Sequence, residues 1–320
     1  MLHKVRWTSQ KIGQRIQLIE PLVYKQHHDL PNFRYKALSS PQDAPPIGQE
    51  FDDSGWESIA PNSYWGHWRT DFVLRTTFEV PAGWNGPVSL YLPIGEMRDF
   101  SHPESLAYID GQPYAAADRH HHELALNGHF RDGKTHRLAL HGWTGGDIAG
   151  DQNVKLYMRP CSVVQIDPPT REFVAVARVA LDVANQLDDD DPVKGHLFNA
   201  LEAAFVAVDT RDPLGTDAFY SSVPNALQVL KRGIAASGAP MDVKIIGVGH
   251  AHIDVAWLWT LGQTVRKSGR TFSTALRLME EFPEYKFSQS QAQLYRYTEI
   301  NYPELFAQIK ERVKEGRWEP

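Results

Sequence analysis

The stretch VKIIGVGHAHIDVAWLW at residues 243–259 limits the fold of this chain more than any other. Val243, Ile245, Ile246 and Val248 around Gly247 read as a strand buried on both faces, the usual state inside a parallel sheet. At its carboxyl end His250, His252 and Asp254 occupy alternate positions. In extended backbone, alternate side chains share one side. The spacing therefore projects two imidazoles and a carboxylate toward one point, at the sheet end where α/β folds and barrels place their sites. Two nitrogen donors and a hard oxygen suit a zinc-like divalent cation.

The chain ahead of this stretch has a different pattern. Residues 1–32 form an N-terminal segment with a short amphipathic helix around Ile12, Ile16, Leu18 and Ile19. From 33 to 167 short alternating runs predict strands, among them FVLRTTFEV (72–80), VSLYL (88–92), SLAYI (105–109), HRLALHGW (136–143) and NVKLYMRP (153–160). Asp110-Gly111 after the third run is a strong hairpin signal. Short strands with regular turn punctuation imply a β-sandwich of jelly-roll-like type. Residues 168–240 read as a helical linker, with apolar periodicity over 171–187, 196–208 and 225–237 and with Ala239-Pro240 near its end. Asp191-Pro192 is a helix cap followed by proline at the first helical position. Over 241–320 the strand at 243–248, the helix at 269–282, a second strand within YKFSQSQAQLY and the helix at 303–316 predict the start of a parallel α/β domain. The fold class is thus mixed and multidomain: a β-sandwich, a helical linker, then the opening of a β/α, barrel-like domain.

Composition narrows the function classes. A net charge of -6 offers no basic footprint for nucleic acid. No apolar run approaches the roughly 20 residues that cross a bilayer, and the basic N-terminus lacks an apolar signal core. One cysteine, Cys161, excludes an internal disulfide and agrees with a reducing, cytoplasmic setting. Homo-oligomer formation stays open.

Three blocks then carry a family likeness. GHAHIDVAWLW, TVRKSGRTFSTALRLMEEFPEYKFSQSQAQLY and YPELFAQIKERVKEGRWEP, in that order over residues 243–320, resemble the opening of the catalytic domain of glycoside hydrolase family 38, the α-mannosidases, in its cytosolic and bacterial branch. The sandwich and linker also look like that branch's N-terminal domain, through weaker motifs. The resemblance implies a retaining exo-α-mannosidase acting on terminal α-D-mannose of oligosaccharides, with Zn2+ or another divalent cation at the floor of the sugar pocket. It carries the metal ligands onto His252 and Asp254 and the pocket tryptophan onto Trp257, and leaves His250 as either a neighbour that orients the ligands or a structural residue. A retaining mechanism also needs two carboxyl groups about 5–5.5 Å apart. The family's nucleophile lies in a downstream DxFG segment, which is expected beyond residue 320, so the polypeptide as it stands is expected to be inactive. TDAFY (216–220) echoes that segment but precedes the metal strand, and Gln263 stands where many relatives have glutamate.

Other readings compete. Strand-end His-x-His also opens metallohydrolases of amidohydrolase type. A non-catalytic carbohydrate-binding sandwich would use Trp56, Trp65 or Trp68 as anchors. RHHHE (119–123) reads as a solvated loop and Asp188–Asp191 as an interhelical cap. Arg266, Lys267 and Arg270 form a solvated face or bridge to the rest of the catalytic domain. Ser288, Gln289, Gln291 and Gln293 line a strand end, where hydrogen bonds to sugar or to the ligand residues are the functional reading.

Overall fold

The computed structural model describes residues 7–40, 43–95, 103–145, 153, 155–238 and 242–320. The Ala239-Pro240 break, residues 1–6 of the N-terminal segment and Val154 of the expected 153–160 strand lie outside the described residues. In chain order the elements begin with α1 (Thr8–Ile19), β1 (Tyr24–Asp29), β2 (Phe33–Ala37), β3 (Glu57–Ile59), β4 (Ser63–Trp65) and β5 (Asp71–Phe78). Next come β6 (Val88–Tyr91), β7 (Glu104–Ile109), β8 (Gln112–Ala117), β9 (Glu123–Leu126), β10 (His136–Trp143), β11 (Leu156–Met158) and β12 (Ser162–Ile166). Helices α2 (Pro168–Gln186), α3 (Pro192–Ala207) and α4 (Asp217–Ala235) follow. The chain continues through β13 (Gly249–His250), α5 (Leu261–Glu281), β14 (Phe287–Ser288), α6 (Ala292–Asn301), α7 (Pro303–Lys314) and β15 (Trp318–Glu319). A sheet-rich region followed by helices is thus what the alternating and then helical periodicity produces.

Contacts divide the chain into two units whose bounds differ from the four segments read from sequence. One holds Met1–His27, Asn85–Pro87 and Val164–Ile245; the other holds His28–Trp84, Val88–Val163 and Ile246–Pro320.

The first unit is built on α1 to α4. Ile12, Ile16 and Ile19 of α1 join Phe173, Ala177, Leu181, Leu201, Phe219 and Leu230 in one buried cluster. Asp167 caps α2 by accepting from the Thr170 N–H at 3.0 Å, and Asp191 caps α3 from the Val193 N–H at 2.8 Å. Each satisfies an amide that the first helical turn leaves without an intrahelical partner. A Cβ at Gly233 would lie 2.5 Å from Cβ of Ala200, so glycine lets α4 approach α3 this closely. The TDAFY echo falls here: Asp217 opens α4 and Phe219 is fully buried, which removes it as a nucleophile motif.

In the second unit a six-stranded sheet runs β3-β2-β5-β10-β7-β8, every neighbour antiparallel. Asp110 and Gly111, at φ 51° and 82°, make the β7–β8 turn, whose two positive φ values match the twist of the strands it joins. Strands β6 and β9 pair antiparallel and, with residues 28–29 of β1 and 162–163 of β12, belong to a second sheet ordered β1-β12-β6-β9. Phe72, Leu74, Leu138 and Leu140 of the first sheet and Val88, Leu90, Leu124 and Val163 of the second lie in one core. The other face of β5 is covered too. Arg75, fully buried in mid-strand, donates to Asp53 at 2.7 Å and to the carbonyls of Pro46, Gly48 and Phe51 at 2.6, 2.9 and 3.2 Å. One guanidinium thereby fixes a 46–53 loop that has no backbone ladder of its own.

Residues 246–320 pack within this same unit. Phe272, Leu276 and Met279 of α5 share a core with Leu106 and Tyr108 of β7, Ala139 of β10, and Ile253, Phe287 and Trp318. Ion pairs frame the contact. Arg266 pairs with Asp71, and Arg270 with Glu104 at 2.5 Å, so both buried guanidiniums bridge to the sandwich strands. That corrects the expectation of a solvated face or of bridges within the catalytic domain alone. The edge strand β8 is covered as well: the Ala116 N–H donates to Oγ1 of Thr274 at 3.2 Å.

Strands β13, β14 and β15 pair in parallel, with α5 in the first crossover and α6 and α7 in the second. The third strand was not foreseen. The expected strand over 243–248 is a correction. Only Gly249–His250 pair, and Val243, Ile245, Ile246 and Val248 are exposed. Burial of a parallel strand requires neighbours on both edges and cover on both faces. Among the described residues, β13 is an end strand with the single neighbour β14.

Candidate functional site

Immediately after β13 burial changes from residue to residue, with His252 exposed, Ile253 buried and Asp254 intermediate. Ile253, 1% exposed, inserts into the core that α5 shares with Phe287 and Trp318. Because side chains alternate, anchoring Ile253 turns His252 and Asp254 to the opposite side. The structure brings them together: Nε2 of His252 is 3.2 Å from Oδ1 of Asp254, with the imidazole 82% and the carboxylate 45% exposed. Both donors face water and neither is sealed in apolar packing. His250 does not join them. Its Nδ1 lies 2.8 Å from the Ser288 carbonyl, which ties the ring to β14.

The backbone here is held from two sides. Thr264 of α5 donates its hydroxyl to the Val255 carbonyl at 2.5 Å and accepts from Nε1 of Trp259 at 3.0 Å. From the other side, the amide of Gln289 donates to the Ala251 carbonyl and that of Gln291 to the Ile253 carbonyl at 2.8 Å. The tryptophans stand edge to face, ring centres 5.6 Å apart, with Trp257 61% exposed. Lys267 sits over the Trp259 ring at 5.1 Å. Neither indole enters the core.

The model for the glycosyl hydrolases family 38 N-terminal domain matches residues 242–320. That match covers about a quarter of the chain. Alpha-mannosidase G of Dictyostelium discoideum is 48% identical over 79 residues, which are 25% of this chain and 7% of that protein. Alpha-mannosidase 2C1 of Homo sapiens is 38% identical over 123 residues, 38% of this chain and 11% of the human protein. The same protein of Mus musculus is 29% identical over 198 residues, 62% of this chain and 18% of the mouse protein. That last alignment is too long to lie within the family 38 segment alone. The chain spans less than a fifth of the length of each of these relatives.

Other sequence candidates are placed differently from the family 38 segment's donors. Trp65 is a core residue, 2% exposed, whose Nε1 donates to the Ile94 carbonyl at 2.7 Å, so it cannot anchor a sugar. Trp56 is half-buried against Phe51, with Lys36 and Arg75 near its ring, and Trp68 is half-buried beside Arg69. His121 pairs with Asp118 at 2.9 Å in a turn after β8, and hydrogen bonding by that carboxylate raises its pKa. Gln263 donates to Asp71 at 2.9 Å, away from the His252–Asp254 pair. Among the described residues no group of three or more His, Cys, Asp or Glu side chains gathers as a cation site. The two glutamine amides were legible as a strand-end set; their targets, alternate carbonyls of the 251–253 backbone, were not.

Proposed function

We propose that this chain belongs to a metal-dependent, retaining exo-α-mannosidase that releases terminal α-D-mannose from oligosaccharides. The observation that carries the reading is the convergence of His252 Nε2 and Asp254 Oδ1, 3.2 Å apart and open to water, within a family 38 match. An imidazole nitrogen beside a carboxylate oxygen fits zinc, and these two side chains would supply half of a four-donor shell. When bound, the cation would act as a Lewis acid toward sugar hydroxyls and favour a ring distorted toward the oxocarbenium geometry. His252 and Asp254 would hold it at the segment that Ile253 anchors, and His250, tied to β14, would brace that segment. The exposed indole of Trp257 offers an apolar face against which a pyranose ring can rest. The names of the relatives, all α-mannosidases, support the substrate class. The parallel β13-β14-β15 set with its helical crossovers supports a β/α, barrel-like catalytic fold, and the paired sheets support a jelly-roll-like sandwich ahead of it. Among the described residues no helix is long and apolar enough to cross a membrane. With a single, buried cysteine, that supports a cytoplasmic setting.

The test uses the full product of the gene. H252A and D254A are expected to lose zinc and to abolish hydrolysis of p-nitrophenyl α-D-mannoside, whereas W257A raises KM. Wild-type zinc content and wild-type turnover in D254A would defeat the proposal.

A further inference from the structure

The ladder between β13 and β14 ends at His250 opposite Ser288, just before the candidate ligands begin. Beyond that point side chains continue it. Carbonyls of alternate residues in extended backbone point toward the same edge. Those of Ala251 and Ile253 are met by the amide groups of Gln289 and Gln291, themselves alternate residues. The orientation of the Gln289 amide is fixed, because its Oε1 accepts from the Gln291 N–H at 3.1 Å and its NH2 therefore faces the Ala251 carbonyl. Gln289 is 1% exposed and its own backbone is held at both ends. Its N–H donates to the Glu319 carbonyl at 3.0 Å, and its carbonyl accepts the Tyr295 hydroxyl at 2.5 Å. Tyr295 in turn accepts Nε1 of Trp318 at 2.8 Å. A rigid chain of contacts thus runs from β15 to the two carbonyls that bracket His252.

We infer that Gln289 and Gln291 are positioning residues that keep 251–253 extended and present the His252 and Asp254 donor atoms together. Through that geometry they set the affinity for a divalent cation, a consequence that rests on the metal reading above. Losing one amide frees a carbonyl to rotate, and rotation at Ile253 swings Asp254 away from His252. Residues that orient metal ligands through a second layer of hydrogen bonds typically change affinity about 10–100-fold when replaced.

The experiment uses the 320-residue chain, with Gln291→Met as the main variant because Gln291 is only half-buried. Gln289→Met is the second. Without metal, NMR should show contacts between the His252 ring protons and the Asp254 β-protons in the wild type. Both variants should lose them while keeping the core resonances of Phe272 and Trp318. Contacts that persist in Q291M overturn the inference, whatever the metal does. Zinc is then titrated and followed by the His252 ring 15N shifts, with the half-saturation point expected to rise about tenfold or more in Q291M. An unchanged half-saturation point also overturns the inference, because a merely structural glutamine would lower thermal stability without moving it. A wild-type His252 ring that ignores zinc means that two donors alone do not hold the cation and moves the metal test to the full product of the gene, while the proton contacts still decide the positioning role.

Discussion

Arg75 gives the sharpest test of how the sandwich is held. Its guanidinium is fully buried, donates to Asp53 at 2.7 Å and satisfies three loop carbonyls. Arg75→Met keeps length and apolar volume but removes every donor. Removing one partner of a buried, hydrogen-bonded pair costs about 3–5 kcal/mol. Asp53 retains a second cation, Arg137, at 3.6 Å, which places the ion-pair part toward the lower end. The carbonyls of Pro46, Gly48 and Phe51 add about 1 kcal/mol each wherever water does not replace the donor. A loss of about 4 kcal/mol is therefore expected, within the usual 5–15 kcal/mol of total stability. Arg75→Lys, which keeps the charge but not the fork of donors, should lose about half as much. Urea unfolding gives the free energies, and amide exchange over 46–53 should rise in R75M while β5 and β10 stay protected. A loss under about 1 kcal/mol, with unchanged exchange in the loop, would refute the claim that this side chain orders the loop.

Three further outcomes follow from the geometry. His141 is buried, and burial, with the charges of Arg266 and Arg270 next, pushes its pKa down to about 3. The unfolded chain takes that proton below about 6.5 while the folded chain refuses it, so this contribution is complete above 6.5 and is lost as pH falls toward 3. Stability measured between pH 6.5 and 5.5 should drop by about 1 kcal/mol more in the wild type than in H141L. A Cβ at Gly269 would sit 2.6 Å from the buried Tyr302 ring, so Gly269→Ala should cost about 1–3 kcal/mol in denaturant unfolding. EDTA should leave the Tm of the 320-residue chain unchanged, since two exposed donors lend little to folding; a fall of several degrees would mean that more ligands converge than His252 and Asp254.

Much of the fold was written in local pattern. The alternation of 136–143 and the Asp110-Gly111 turn emerged where expected, as did the Asp191-Pro192 cap. What escaped was set by neighbours far away in sequence. The β8 segment QPYAAA carries a proline and small residues, and it is a strand because it lies at a sheet edge where proline is tolerated and α5 covers the alanines. The run at 243–248 has the composition of a core strand, yet periodicity records apolarity and not what stands opposite. Within the candidate site, the shared side of His252 and Asp254 was legible from alternation alone. That Ile253 anchors them, and that Gln289 and Gln291 grip the backbone between, depends on a register which no single segment encodes.

The bonds that seat α5 join residues 158 to 195 positions apart. During synthesis the ribosome delivers Asp71 and Glu104 long before the arginines that neutralise them, and the sheets must close around waiting carboxylates. The loop that brings Arg266 to Asp71 is costly in entropy and forms late. The floor beneath His252 and Asp254 is accordingly laid after the sandwich strands it rests on, and lesions in those distant strands should surface first as failures at that floor.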